Sequence, residues 1–190
     1  MATDSLPLPR TRRRRRRGWV IALALFVAMA VAGVAIMVSA YVFPAVAAPP
    51  ARADVIYVIG PPTEGRTALA ERLRSDGVAD DILISVPLEG EQSAAKLSIC
   101  QERHVTCEHP DPFTTAGEMA LLNARYGPEA SAVVITFTPH VSRTRFIAAQ
   151  CAAPRVTVID VQVPIDLGDW LYQFAYQTGG FAKAIIAPCS

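Results

Sequence analysis

Asp54–Ile59, with the sequence DVIYVI, is a short and nearly continuous run of apolar residues. Such a run is typical of a strand that is buried on both faces, as strands of parallel sheets are. The next segment, Glu64–Asp76 (EGRTALAERLRSD), places apolar residues at helical spacing until Gly77 ends the pattern. A buried strand followed by an amphipathic helix is the repeating unit of an α/β fold, and we expect the rest of the domain to repeat it.

The alternation of strand and helix patterns continues to the C-terminus. Further strands are predicted at Asp81–Val86, Val105–Cys107, Ala132–Phe137 and Val156–Val161. Further helices are predicted at Glu91–Cys100, Thr115–Tyr126, Ser142–Cys151 and Asp169–Ile186, with Gly179-Gly180 as a weak point in the last one. Alternating strands and helices form a parallel sheet that is covered on both faces. We therefore predict an α/β domain, a Rossmann-like three-layer sandwich with a mainly parallel sheet.

A long apolar segment precedes this domain. Gly18–Phe43 contains no charged side chain, and about 20 apolar residues suffice to cross a bilayer as a helix. Residues 12–17 are six consecutive arginines, and basic residues beside a span stay in the cytoplasm. Ala45-Val46-Ala47 offers a cleavage pattern, but the apolar segment exceeds the roughly 7–15 residues of a signal peptide. We therefore expect an uncleaved anchor.

These features predict a single-pass plasma-membrane protein. Its expected parts are a basic cytoplasmic tail at residues 1–17, a transmembrane helix at 18–43, a Pro/Ala linker at 44–53 and an extracytoplasmic domain at 54–190. The tail holds seven of the 18 basic residues and one of the 17 acidic residues, so the remainder has 11 basic and 16 acidic residues, a net charge of −5. A negative domain is not an obvious binder of nucleic acid. We expect the membrane as a partner and no nucleic acid; the oligomeric state stays open.

All four cysteines, Cys100, Cys107, Cys151 and Cys189, follow the apolar segment. Disulfides persist in oxidising compartments, and four cysteines allow three connectivities. Because Cys100 and Cys107 close a small loop, we predict that they pair, and that Cys151 pairs with Cys189. A zinc site with His104 and His109 is disfavoured because the six-residue gap between the first two cysteines is wide for zinc ligands. We expect no metal.

Ligands of parallel α/β sheets bind outside the carboxyl ends of the strands. The densest polar cluster there is Thr136–Arg145, which includes His140 and Arg143. An arginine in the first turn of a helix opposes the helix dipole, unless it faces an anion such as a phosphate or a carboxylate. Arg143 could therefore bind an anionic ligand, or it could pair with Glu118 or Asp111.

The other candidates also have two interpretations. His140 could transfer protons near neutral pH, or it could fix its loop through hydrogen bonds. Glu118 could be a catalytic carboxylate, or it could complete a capping box with Thr115. Arg66 could reach the site, or it could pair with Glu64 or Asp111. Pro61-Pro62 removes two backbone donors after the first strand, so a phosphate cradle built on amides is disfavoured and we expect no cofactor.

The residues resemble the SanA/YdcF/ElyC-like family of bacterial envelope proteins. The resemblance covers about Ala53 to Asp160 and rests on Ala53–Gly60 (ADVIYVIG), Arg66, Ile82–Ser85 (ILIS), Thr115 with Glu118, and Val134–Thr136 followed by His140-x-x-Arg143. The family's glycines after the first two strands are replaced by Pro61-Pro62 and Val86-Pro87, and its Glu-Asn pair reads Gly117-Glu118. The resemblance implies a Rossmann-like domain with a role in envelope or peptidoglycan biogenesis; S-adenosylmethionine binding has been suggested within the family.

Three functions follow as hypotheses, and whether the protein is an enzyme stays open. The first is an envelope protein that binds or processes an anionic precursor, lipid-linked or phosphate-bearing. Its site would use His140 and Glu118 as catalytic residues and Arg66, Ser85, Thr115, Thr136 and Arg143 as ligand-binding residues. The second is a non-catalytic interaction domain, with an exposed apolar patch on Trp170–Phe181 and with His140 and Arg66 roughly 15 Å or more apart, too far to share a pocket of ordinary size. The third and weakest is a nucleotide or S-adenosylmethionine binder.

Overall fold

The computed structural model describes residues 11–151, 155–187 and 189. The chain divides into two compact units, Met1–Ser39 and Ala40–Ser190. Helix α1 covers Thr11–Tyr41, and its part Arg16–Tyr41 is long and apolar enough to cross a membrane. The prediction for residues 1–10 of the tail lies outside the described residues. Within the described residues, this is the one candidate span.

The second unit alternates strands and α-helices, except that no α-helix separates its second and third strands. Its elements are β1 (Val55–Val58), α2 (Glu64–Ser75), β2 (Asp81–Ser85), β3 (Val105–Glu108), α3 (Thr115–Tyr126), β4 (Ser131–Phe137), α4 (Val141–Cys151), β5 (Arg155–Val161) and α5 (Leu167–Ile186). The five strands form one sheet in the order β3-β2-β1-β4-β5, and every neighbouring pair is parallel. The predicted Rossmann-like α/β fold is confirmed.

The strand β1 lies at the centre of this sheet and is buried on both faces. Tyr57 points into a core that includes Met119 of α3 and Val141 of α4. Its neighbour Ile56 points to the other face, into a core that includes Leu73 of α2. Successive side chains of a strand alternate between faces, so a strand with helices on both sides has apolar residues at every position. This explains the continuous apolar run of β1.

The connections that leave β1 and β4 diverge. The helix after β1, α2, packs on one face of the sheet, whereas α4, which follows β4, packs on the other face. Because β1 and β4 are adjacent in the sheet, their carboxyl ends form a topological switch point, which is called the crevice below. Such a topological switch point is where open α/β sheets bind ligands.

Two predictions about helices are wrong. The segment Glu91–Cys100 contains no α-helix; only a 3₁₀ turn at Ser98–Gln101 forms there. The hydroxyl of Ser93 donates to the carbonyl oxygen of Gly90 at 2.8 Å, and such local bonds compete with helix formation. Helix α4 begins at Val141, and Ser142 does not cap it, because its hydroxyl donates to the carbonyl oxygen of Ala40 at 2.7 Å.

The predicted cysteine pairs are present. The disulfide Cys100–Cys107 joins the 3₁₀ turn to the edge strand β3, across a sequence separation of 7 residues. The disulfide Cys151–Cys189 joins the end of α4 to the segment after α5, across a separation of 38 residues. The second bond therefore ties the C-terminal helix to the rest of the fold.

Candidate functional site

The centre of the crevice is the carboxylate of Glu118, which is only 4% exposed. Its Oε1 accepts a hydrogen bond of 2.6 Å from the backbone N–H of Gly60, directly after β1. A Cβ atom on Gly60 would lie 3.4 Å from both this oxygen and the hydroxyl of Ser85, so the three groups meet at one point. The predicted capping box is wrong: Thr114 caps α3 by accepting from the N–H of Gly117, and Glu118 points into the crevice.

Burial raises the pKa of Glu118 to about 7. The Gly60 amide, the Ser85 hydroxyl and the charges of Arg66 and Arg143 act in the opposite direction but do not cancel the effect of burial. The same surroundings raise the pKa of Tyr57 well above its usual range, through burial and the nearby charge of Glu118. A carboxyl group with a pKa near the ambient pH can both take up and release a proton.

His140 is buried and makes contacts through both ring nitrogens. Its Nε2 lies 2.8 Å from Nη2 of Arg143 and 3.3 Å from the hydroxyl of Thr115, and its Nδ1 lies 3.1 Å from the hydroxyl of Thr136. A guanidinium group can only donate, so Nε2 accepts and the proton of the neutral ring is on Nδ1, which donates to Thr136. Burial and the charges of Arg143 and Arg66 hold the pKa of His140 well below its usual range.

This geometry favours one of the two interpretations of His140. Its accepting nitrogen is already occupied by Arg143, and its low pKa makes the ring a weak base. A base must also reach the proton that it removes. The ring therefore holds Arg143 in place and fixes its own loop, and of the two predicted catalytic residues Glu118 is better suited to proton transfer.

Arg143 is 7% exposed, and its direct contacts with His140 and Tyr176 are with uncharged rings. Besides the His140 contact, its Cζ lies 4.9 Å from the ring centroid of Tyr176, in a cation–π arrangement, and its Nε has no hydrogen-bond partner. Among the described residues, no carboxylate lies within 4.0 Å of it. The predicted alternative, an ion pair of Arg143 with Glu118 or Asp111, is therefore not formed. An anionic ligand would supply the negative partner that this buried guanidinium group lacks.

Arg143 fits against α5 because residue 180 is glycine. A Cβ atom at Gly180 would lie 2.8 Å from both Cδ and Cζ of Arg143, closer than carbon atoms pack. The neighbouring Gly179 has open space where its Cβ would be. Helix α5 runs through both glycines without interruption. The predicted weak point is therefore part of the seat of Arg143, the site formed by His140, Tyr176 and Gly180.

These adjacent glycines allow a matched test. We expect Gly179→Ala to raise the free energy of unfolding by about 1 kcal/mol, because alanine favours a helix interior over glycine by that amount. Gly180→Ala should lose this gain, because the new methyl group displaces the guanidinium of Arg143. Thermal unfolding of both variants measures the difference, and equal stabilisation would show that Arg143 does not depend on this glycine.

Arg66 reaches the crevice from α2. Its Nη1 donates to the carbonyl oxygens of Ile59 and Pro61, at 3.2 and 2.8 Å, and burial lowers its pKa to about 10. The predicted ion pairs with Glu64 and Asp111 are not formed within 4.0 Å in the described part of the chain. The loop after β1 therefore turns carbonyl oxygens toward a cation. A phosphate cradle needs the opposite polarity, with amide groups pointing at an anion.

Arg66 and His140 lie close together, because both approach the ring of Phe137. The Cζ of Arg66 is 5.0 Å from the ring centroid of Phe137, and the ring centroid of His140 is 6.1 Å from that same point. The guanidinium carbon and the imidazole centroid are therefore at most about 11 Å apart. The separation that an interaction domain without a shared site predicts is not observed.

A cavity of about 430 Å³ opens beside Arg143, between α3, α4 and α5. Its polar lining includes Thr115, Arg143 and Lys183, and its apolar walls include Phe113 and Ile147. Two cations and a hydroxyl in the lining of a largely apolar cavity suit a ligand that carries an anionic group and an apolar part.

The structure brings all seven predicted site residues to the carboxyl edge of the sheet or to the adjoining helix starts. It adds five that the sequence interpretation missed: Tyr57, Gly60, Tyr176, Gly180 and Lys183. Of these five residues, only Gly180 had a signal in the sequence, because Gly179 and Gly180 form an adjacent pair inside an apolar helix. Gly117 is also required, because a Cβ there would overlap the carbonyl oxygen of Pro112.

What the protein does has to follow from the residues of this site. Comparisons with protein-family models, curated proteins and solved structures found no match to this chain.

Proposed function

We propose that this is a membrane-anchored protein whose α/β domain, outside the cytoplasm, binds an anionic group of a cell-envelope precursor. The observation that carries the proposal is the seat of Arg143, a buried guanidinium that is held by His140 and Tyr176 and has no carboxylate partner among the described residues. A phosphate or carboxylate accepts two parallel hydrogen bonds from such a group. The adjoining cavity provides room for the rest of the ligand.

The neighbouring residues then have distinct roles. Thr115 and Lys183 flank the anion, since both line the cavity beside Arg143. His140 positions the guanidinium. Glu118 does not line the cavity, but its pKa of about 7 makes both protonation states available near neutral pH, so it is the candidate for proton transfer if a reaction brings the ligand to it.

The test is anion-dependent thermal stability of the full chain in detergent. Inorganic phosphate, pyrophosphate and acetate are compared with sodium chloride at equal ionic strength, because a ligand that binds only the folded state raises the melting temperature. We expect stabilisation by at least one anion, and we expect Arg143→Ala to weaken its apparent affinity about tenfold or more, the effect of a lost charged hydrogen bond.

Arg145→Ala is the matched control. It removes the same charge from the same helix, but Arg145 faces solvent and donates to the carbonyl oxygen of Ala45 at 2.7 Å. An equal effect of both variants would indicate a general charge effect, and the absence of any anion-specific stabilisation of the wild type would contradict the proposal.

A non-catalytic interaction domain remains the second candidate, because Leu171, Tyr172 and Tyr176 are exposed on α5, where that hypothesis expects an apolar patch. Cells that carry His140→Ala or Arg143→Ala distinguish the two functions. Normal envelope integrity in both mutants, at normal protein levels, would favour the interaction domain. A nucleotide or S-adenosylmethionine binder is the least supported function, since the carbonyl oxygens after β1 point to Arg66.

A further inference from the structure

Helix α5 exposes large apolar side chains to an unusual degree. Leu167, Leu171 and Ile185 are 79%, 68% and 68% exposed. Within Leu167–Ile186 the only charged residues are Asp169 and Lys183. Helices on a water-facing surface normally present charged and polar side chains, and contiguous exposed apolar residues mark a binding surface.

Three of the exposed apolar residues of α5 form one stripe, whereas the exposed Tyr172, Tyr176 and Ile186 lie outside it. At about 100° per residue, Leu167, Leu171 and Ile185 fall within about 40° of one another around the helix axis. Asp169 and Lys183 fall on the opposite side, roughly 120–160° away from these three residues. The stripe of Leu167, Leu171 and Ile185 extends about 27 Å along the helix, at 1.5 Å per residue.

The same side of α5 contacts the last residue of the candidate span. The ring of Tyr41 lies 5.6 Å from that of Phe174 and 6.1 Å from that of Phe181, and its hydroxyl is 3.2 Å from the hydroxyl of Thr178. All of these residues belong to the second compact unit. Around the helix axis, Phe174 and Thr178 lie within about 40° of the stripe residue Leu167. The stripe therefore continues, at both ends of α5, the face on which Tyr41 packs.

We propose that α5 lies in the membrane–water interface, with this stripe inserted among the lipid headgroups and upper acyl chains. Tyr41 ends the candidate span, so the helix that packs against Tyr41 would be held at the surface of the membrane that this span crosses. A helix with one apolar stripe and its charges on the other side is suited to that position. Phe43, two residues beyond the span, is 73% exposed and would lie at the same level, where aromatic side chains are enriched. The proposal rests on the uncleaved anchor and does not depend on anion binding.

The chain contains its own probe, because Trp170 lies in α5 and the only other tryptophan is Trp19. In a Trp19→Phe variant of the full chain, all tryptophan emission comes from α5. This variant is reconstituted into phosphatidylcholine vesicles with bromine atoms on the acyl chains near the headgroup. We expect quenching of Trp170, and we expect replacement of Leu167, Leu171 and Ile185 by serine to weaken the quenching about twofold or more. Tyr172→Ser, on the other side of α5, should leave it unchanged.

A Trp170→Phe variant, in which Trp19 reports from the span, verifies reconstitution. Unquenched Trp170 emission in vesicles where Trp19 is quenched would overturn the proposal. If a second copy of the chain covered the stripe instead of lipid, Trp170 would also be unquenched, but its emission would then depend on the protein-to-lipid ratio. If the triple variant does not fold, as judged by circular dichroism, the quenching of the Trp19→Phe protein decides by itself.

Discussion

Glu118→Gln is expected to remove a loss of stability of about 3 kcal/mol that the wild-type domain undergoes between pH 4 and pH 8. The pKa of Glu118 is raised from 4.5 to about 7, so the folded state holds the proton more tightly than the unfolded state. The contribution of Glu118 to stability is therefore fully present below pH 4.5, the pKa in the unfolded state. It is lost as the pH rises through about 7, the pKa in the folded state. Glutamine stays neutral and keeps the side-chain shape, so its stability curve should lack this fall.

Urea unfolding of the full chain in detergent, repeated from pH 4 to pH 8, measures this difference. His140 has the opposite dependence, since its lowered pKa weakens the fold as the pH falls, but both proteins contain it and its effect cancels. Glu64→Gln, at an exposed position in the first turn of α2, is the control and should follow the wild type. Parallel curves for Glu118→Gln and the wild type would contradict the burial of a shifted carboxyl group at this site.

Replacement of Cys151 and Cys189 by serine should lower the free energy of unfolding by about 4 kcal/mol, against about 2 kcal/mol for Cys100 and Cys107. The difference follows from the loops, because a cross-link that closes 38 residues restricts the unfolded chain more than one that closes 7. Denaturant unfolding under non-reducing conditions compares the two double variants. Equal losses, or a larger loss for the short loop, would show that local packing outweighs chain entropy here.

Much of the fold could be predicted because its strands are short apolar runs with helical patterns between them. DVIYVI allows few alternatives to a central parallel strand, and the order of elements then places His140 and Arg143 at the binding edge. The helix predicted at Glu91–Cys100 does not form. Side-chain hydrogen bonds to the backbone, such as that of Ser93, compete with a helix, and the hydrophobic periodicity of the sequence does not reveal them.

The roles within the site were harder to predict than its position. In the sequence, Glu118 has the spacing of a capping residue. Only the hydrogen bond from the N–H of Gly60, far away in the sequence, shows that its carboxylate points into the crevice. The seat of Arg143 depends on Tyr176 and Gly180, more than 30 residues further along the chain, and on how α5 packs against α4. Local sequence patterns contain no information about such long-range contacts.

If the domain lies outside the cytoplasm, as we propose, the cysteine pairs would also provide a check on membrane insertion. A chain inserted in the reverse orientation would leave its α/β domain in a reducing cytosol, where neither bond persists. The combined loss, about 6 kcal/mol, is comparable to the whole stability of many domains. Proteases remove chains that unfold so often. The arginine tail would then favour one orientation during synthesis, and the disulfides would eliminate the molecules in which that choice failed.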